Sequence, residues 1–106
     1  MNTPGFIVEF LGTFIFLYVI LQSGNFGNVQ PFVIVAGLLV AILMFSSVSG
    51  GHFNPAVTTM MYAKEPNAFN LIDVAGFIGA QVLGGLCAYK VHSMITTAKA
   101  AQPKSI

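Results

Sequence analysis

Charge is what this sequence has least of. Its 106 residues hold four lysines, no arginine and three carboxylates (Glu9, Glu65 and Asp73), so only 7% of the chain is charged. A net charge of +1 without any basic cluster excludes nucleic acid as a partner. The single cysteine, Cys87, has no partner in the chain for a disulfide, and its place in an apolar run predicts a packing role. There is no nucleophile–base pair and no cluster of metal ligands, so no reaction, metal or cofactor is expected and the chain does not read as an enzyme. No basic stretch precedes the first apolar run, so a cleavable signal peptide is not expected either.

Apolar residues fill the space that charge leaves. At 56% hydrophobic, the composition is that of one small helical membrane domain, an integral multi-pass protein whose first partner is the lipid bilayer. Three runs are expected to span it: residues 6–21, 32–48 and 71–91. The first is slightly short of the roughly twenty residues a bilayer needs, and residues 1–5 extend it or lie at the interface. Residues 22–30 are a polar, glycine-rich connection, and Pro31 suits the first position of the next helix. Gly76, Ala80, Gly84 and Ala88 recur every four residues, widened by Ala75 and Gly79, which reads as a stripe for close helix packing. Asp73 is expected in the first turn of the third run and His92 at its interfacial end. Residues 1–92 form the folded unit, and 93–106 read as a loose polar tail.

Between the second and third runs the chain does something different. Two glycines, Gly50 and Gly51, interrupt the apolar sequence, and Asn54-Pro55-Ala56 then restarts a helix. Asn is among the best N-cap residues, and Pro fits the first helical position, where its missing N–H is no loss. Lys64-Glu65-Pro66-Asn67 stops that helix, leaving residues 54–63. Ten residues cover about 15 Å, half of a bilayer's hydrocarbon core. A half-length helix with a glycine-rich lead-in reads as a re-entrant segment, tolerated at membrane depth only where protein or water covers its backbone.

The ends of that helix carry chemistry. Its N-terminus presents free N–H groups and a partial positive charge. The Asn54 oxygen is expected to cap Ala56 or Val57, leaving its NH₂ donors free to face a pore. The approach segment Gly50–Phe53 is expected to be extended, with its carbonyls turned to a file of water or small neutral solutes. The positive helix end opposes a proton or cation at the centre. For His52 the backbone carbonyl is the functional group; its imidazole is either a titrating gate or a buried ring that fixes the loop.

Ser49-Gly50-Gly51-His52-Phe53-Asn54-Pro55-Ala56-Val57-Thr58 resembles the first signature of the aquaporin and glycerol-facilitator (major intrinsic protein) family. Glu9-Phe10-Leu11-Gly12-Thr13-Phe14 resembles that family's first span, and Gly79-Ala80-Gln81-Val82-Leu83-Gly84-Gly85 its third. The fold implied is all-α: three transmembrane helices plus one re-entrant half-helix, the first of the family's two inverted repeats. The resemblance implies that Glu9 accepts backbone N–H groups of the re-entrant segment and that Gln81 bonds its backbone. Read from the residues alone, the alternative for Glu9 is an interfacial acid in a first helical turn, and for Gln81 a helix–helix hydrogen-bonding group. The family's filter arginine belongs to the second repeat's Asn-Pro-Ala; here Val57 stands in the corresponding place. Its aromatic filter position falls at Ile34. The pore-lining set is thus Gly50, Gly51, His52, Phe53, Asn54, Pro55, Ala56, Val57 and Ile34, with Glu9 and Gln81 supporting the loop.

One repeat cannot enclose a pore, so the expected partner is an inverted copy of this chain or a separately encoded second repeat. With three spans, the N-terminus and Lys64 lie on one side and Lys90, Lys99 and Lys104 on the other. The family's orientation and the positive-inside rule then conflict, a weak bias that suits insertion both ways. The function expected is a passive channel for water or small neutral solutes such as glycerol. Two alternatives stand beside it. One is a proton-coupled dual-topology exporter using Glu9, similar in size to the small multidrug resistance family but short of its four spans. The other is a non-conducting membrane interaction protein.

Overall fold

The computed structural model describes residues 1–103, and every regular element in them is helical. Helix α1 runs Thr3–Ser23, α2 Gln30–Ser49, α3 Pro55–Lys64 and α4 Leu71–Ala101, with short 3-10 segments at Gly24–Val29 and Pro66–Ala68. The stretches Thr3–Ser49 and Leu71–Ala101 are each long and apolar enough to cross a membrane. The first is not one rod: Gly27, at φ 58° and ψ −129°, breaks it into α1 and α2. Only 11% of the most apolar window of the first stretch is buried within the chain, and 28% of the second. The core helix of a soluble protein hides its apolar surface, whereas here Phe32 and Leu43 are about three-quarters exposed (74% and 75%).

Helix α1 is the centre of the molecule, with α2 and α4 packed on it and α3 packed on α4. Four contacts show that α1 and α4 run parallel. Asn2 N donates to Asp73 Oδ1 at 2.8 Å, and Gly76 faces the Phe6 ring. Farther along, a Cβ on Gly84 would lie 2.6 Å from the Phe10 carbonyl, and Gln22 meets His92. Of the small-residue stripe, Gly76 and Gly84 turn to α1, and Ala88 is fully buried. Ala75 and Gly79 do not widen it. Both are exposed, and nothing lies within 4 Å of a Cβ added at Gly79.

Several boundaries differ from the sequence reading for local reasons. Helix α1 begins at Thr3, because Asn2 caps the amide of Gly5 at 3.0 Å and Pro4 occupies the first turn. Asn70 caps α4 through the amide of Ile72 at 2.8 Å. The loose tail expected from Ser93 is helical to Ala101: polar residues such as Thr96 and Lys99 continue a helix that is already nucleated. The remainder of that tail, Lys104 to Ile106, lies outside the described residues. Cys87 is exposed rather than packed, because it falls beside, not on, the Gly84–Ala88 face.

Candidate functional site

The site is the turn from α2 into α3. Helix α2 ends on Gly50 in the left-handed region (φ 92°), whose amide bonds Ser46 O at 2.8 Å. Gly51 (φ 69°) and Phe53 (φ 52°) follow with positive φ. The approach is therefore not the extended segment the sequence predicts. Positive φ comes without penalty to glycine, but at Phe53 it is strained and persists only because surroundings hold it.

Glu9 holds it. The carboxylate is fully buried and accepts four hydrogen bonds. Oε2 receives the Ser49 hydroxyl at 2.6 Å and the His52 amide at 3.1 Å; Oε1 receives the Phe53 amide at 2.8 Å and Gln81 Nε2 at 2.8 Å. Two of the four donors are main-chain amides of the turn, so the carboxylate is tied directly to the loop's backbone. The Phe53 ring, 2% exposed, lies on Gly12, one turn on from Glu9, where any Cβ would overlap it.

Gln81 is buried beside Glu9. It does not bond the loop backbone, the role the resemblance implies, but makes the alternative helix–helix hydrogen bonds. Its Nε2 donates to Glu9 and, at 2.8 Å, to Thr58 Oγ1. The reason is that Glu9 itself takes both loop amides, so Gln81 secures the acceptor instead. Thr58 also meets His52 Nδ1 at 2.9 Å, and the buried His52 ring stands edge-on to Phe77 at 5.5 Å. Ser49, Thr58 and Gly12 are the working residues that sequence reasoning passed over. Thr58 lies on the buried face of α3, 2% exposed.

Asn54 caps α3: its Oδ1 accepts from Ala56 N at 2.8 Å. The residue is exposed, and its Nδ2 has no partner among the described residues. With Pro55 and Phe53 it borders an open groove of about 380 Å³, whose other lining includes Thr13, Phe16 and Gln81. Thr13 Oγ1 and Gln81 Oε1 are buried without a hydrogen-bond partner among the described residues. Ala56 is exposed and Val57 half-buried on α3. A separate cavity of about 190 Å³ lies among Ser49, Thr58, Asp73 and Phe77. Ile34 stays apart from this set. It sits in the second turn of α2, about 22 Å along the axis from Ser49, and α2 does not pack on α3.

Residues 2–105 match the model of the family described as Major intrinsic protein. Among similar proteins, Aquaporin Z of Photorhabdus laumondii is 35% identical over 84% of this chain and 42% of its own length. The glycerol uptake facilitator protein-like 6 of Lactiplantibacillus plantarum is 34% identical, over 78% of this chain and 39% of its own. The aquaglyceroporin of Toxoplasma gondii is 29% identical over 79% of this chain and 33% of its own. The chain thus spans between 33% and 42% of these relatives' lengths. No solved structure matches. A family match over almost the whole chain, joined to the helical, lipid-suited architecture, makes this protein a member of the major intrinsic protein family of integral membrane proteins.

Proposed function

We propose that this chain is one wall of a passive membrane channel for water and small neutral solutes. In this reading α1, α2 and α4 cross the bilayer and α3 enters it halfway, with Asn54 near the midplane. The observation that carries the reading is Asn54 itself: its oxygen is spent on the Ala56 amide while its NH₂ is free, exposed and beside an open groove. That amide, at the positive end of α3, donates to a solute oxygen and disfavours a cation in the same place. The groove has no wall on its open side among the described residues, so conduction needs a second repeat, for which an inverted copy of this chain is one source. Gly50, Gly51 and His52 contribute carbonyls to the path, with Pro55, Ala56 and Val57 lining it. With Val57 where a filter cation would stand, a homodimer has a wider mouth that passes glycerol-sized solutes as well as water. The bonds of Glu9 to the His52 and Phe53 amides give it a structural task in shaping the loop, which favours this reading over proton-coupled export.

Stopped-flow osmotic measurements on vesicles holding only this chain test it. Water and glycerol permeability above protein-free vesicles is expected. Water flux without glycerol flux counts against the wide mouth. Absence of both, in vesicles where tags are accessible from one side only, removes the homodimer; absence that persists with a second repeat present removes the channel.

A further inference from the structure

Helix α1 stops at Ser23 while the parallel α4 continues to Ala101, about 14 Å past His92. At this step lies a pocket of about 360 Å³, into which Gln22, Asn25, His92, Thr96 and Lys99 project, with Leu21 and Ile95 supplying its apolar part. The 21 residues of α1 reach about 31 Å, the thickness of the hydrocarbon layer. The pocket at its end therefore stands at headgroup level.

Hydrogen-bond accounting shows what the pocket offers. Gln22 Nε2 donates to Tyr18 Oη at 3.1 Å and to His92 Nδ1 at 3.4 Å, and Gln22 Oε1 accepts from Asn25 Nδ2 at 3.1 Å. Gln22 is thus used internally. Gln22 occupies Nδ1, so Nε2 is the ring nitrogen left facing away from Gln22. The His92 Nε2, the second Asn25 N–H, the Thr96 hydroxyl and the Lys99 ammonium have no hydrogen-bond partner among the described residues. Among the described residues no carboxylate competes for them. Glu9 is buried among its own donors, Asp73 accepts from Asn2 at the far end of α4, and Glu65 lies 3.7 Å from Lys64.

We infer that this pocket is a docking site for the headgroup phosphodiester of an anionic membrane lipid. Lys99 supplies the charge, and Thr96, His92 and Asn25 supply donors to the phosphate oxygens. Leu21 and Ile95 receive the first part of an acyl chain along the α1–α4 seam. This site requires only that the protein sits in a bilayer and is independent of conduction.

Native mass spectrometry of the delipidated full chain, titrated with phosphatidylglycerol or phosphatidylcholine, tests the assignment. Phosphatidylglycerol is expected to bind more tightly than phosphatidylcholine. Lys99→Gln should weaken it about fivefold, the effect of one lysine near an anionic headgroup, and adding Thr96→Ala should weaken it further. Both positions are exposed, so helicity by circular dichroism should be unchanged. Lys64→Gln at the opposite end should leave binding as it was. Equal binding of the two lipids, undiminished binding in the double variant, or an equal loss with Lys64→Gln would overturn the site. Displacement of the lipid by inorganic phosphate would instead make it a site for a soluble anion and overturn the lipid assignment.

Discussion

The Glu9 carboxylate and the Phe53 amide, separated by 44 residues in the chain, meet at 2.8 Å inside the molecule. Among the described residues Phe53 is the non-glycine residue with positive φ, and Glu9 supplies the contact that keeps it there. Helix α1 thereby shapes the loop that presents Asn54 to the groove.

Glu9→Gln replaces one acceptor oxygen by an NH₂ that must face a donor. The loss of two or more charge-assisted bonds is expected to lower stability by about 2–4 kcal/mol. Thermal unfolding in detergent measures it. Osmotic permeability per folded protein should persist, and a variant of native stability that has lost only proton-driven transport would reinstate the exporter.

Gly12 and Gly79 are both helical glycines with opposite expectations. Gly12→Ala pushes a methyl into the Phe53 ring and should cost about 1–3 kcal/mol. Gly79→Ala meets nothing within 4 Å and should stabilise by up to about 1 kcal/mol. Equal melting temperatures for the two would refute the packing of Phe53 on α1.

The two buried threonines also separate. Thr58 accepts from Gln81 and bonds His52, so Thr58→Val should cost about 1–3 kcal/mol. Thr13 Oγ1 has no partner, so Thr13→Val should be neutral or stabilising by about 1 kcal/mol in the dispersed chain. A clear loss at Thr13 would mean that its hydroxyl is bonded after all.

Asn54→Asp keeps the cap on Ala56 and removes the free NH₂, whereas Asn54→Ala removes both. Unfolding should show a loss of about 1 kcal/mol for Ala and little change for Asp. Solute flux should fall in both. Undiminished flux with Asp at this position would mean that the Asn54 amide donates nothing to the solute.

Much of the helix pattern was legible because it is written in adjacent residues. Asn54-Pro55 marks a helix start, and Lys64-Glu65-Pro66-Asn67 marks its stop. The glycines at 50 and 51 mark a reversal, and the apolar runs mark the long helices. Asn2-Thr3-Pro4 and Asn70 carried the same capping chemistry and were readable in principle. Less legible were the partners of Gln81, because several donors and acceptors of the same type compete for one carboxylate. Which neighbour wins depends on distances across three helices.

The sequence alone thus determined where helices begin and break, since caps, prolines and apolar length act within a turn or two of the chain. It also determined that a lone carboxylate would sit in the first apolar run. Tertiary structure decided the rest: the left-handed Phe53, the parallel seat of α4 on α1, and the burial of Thr58 and Ser49 against the acid. Each of these depends on contacts between residues dozens of positions apart. A strained turn of this kind survives only when such distant groups surround it.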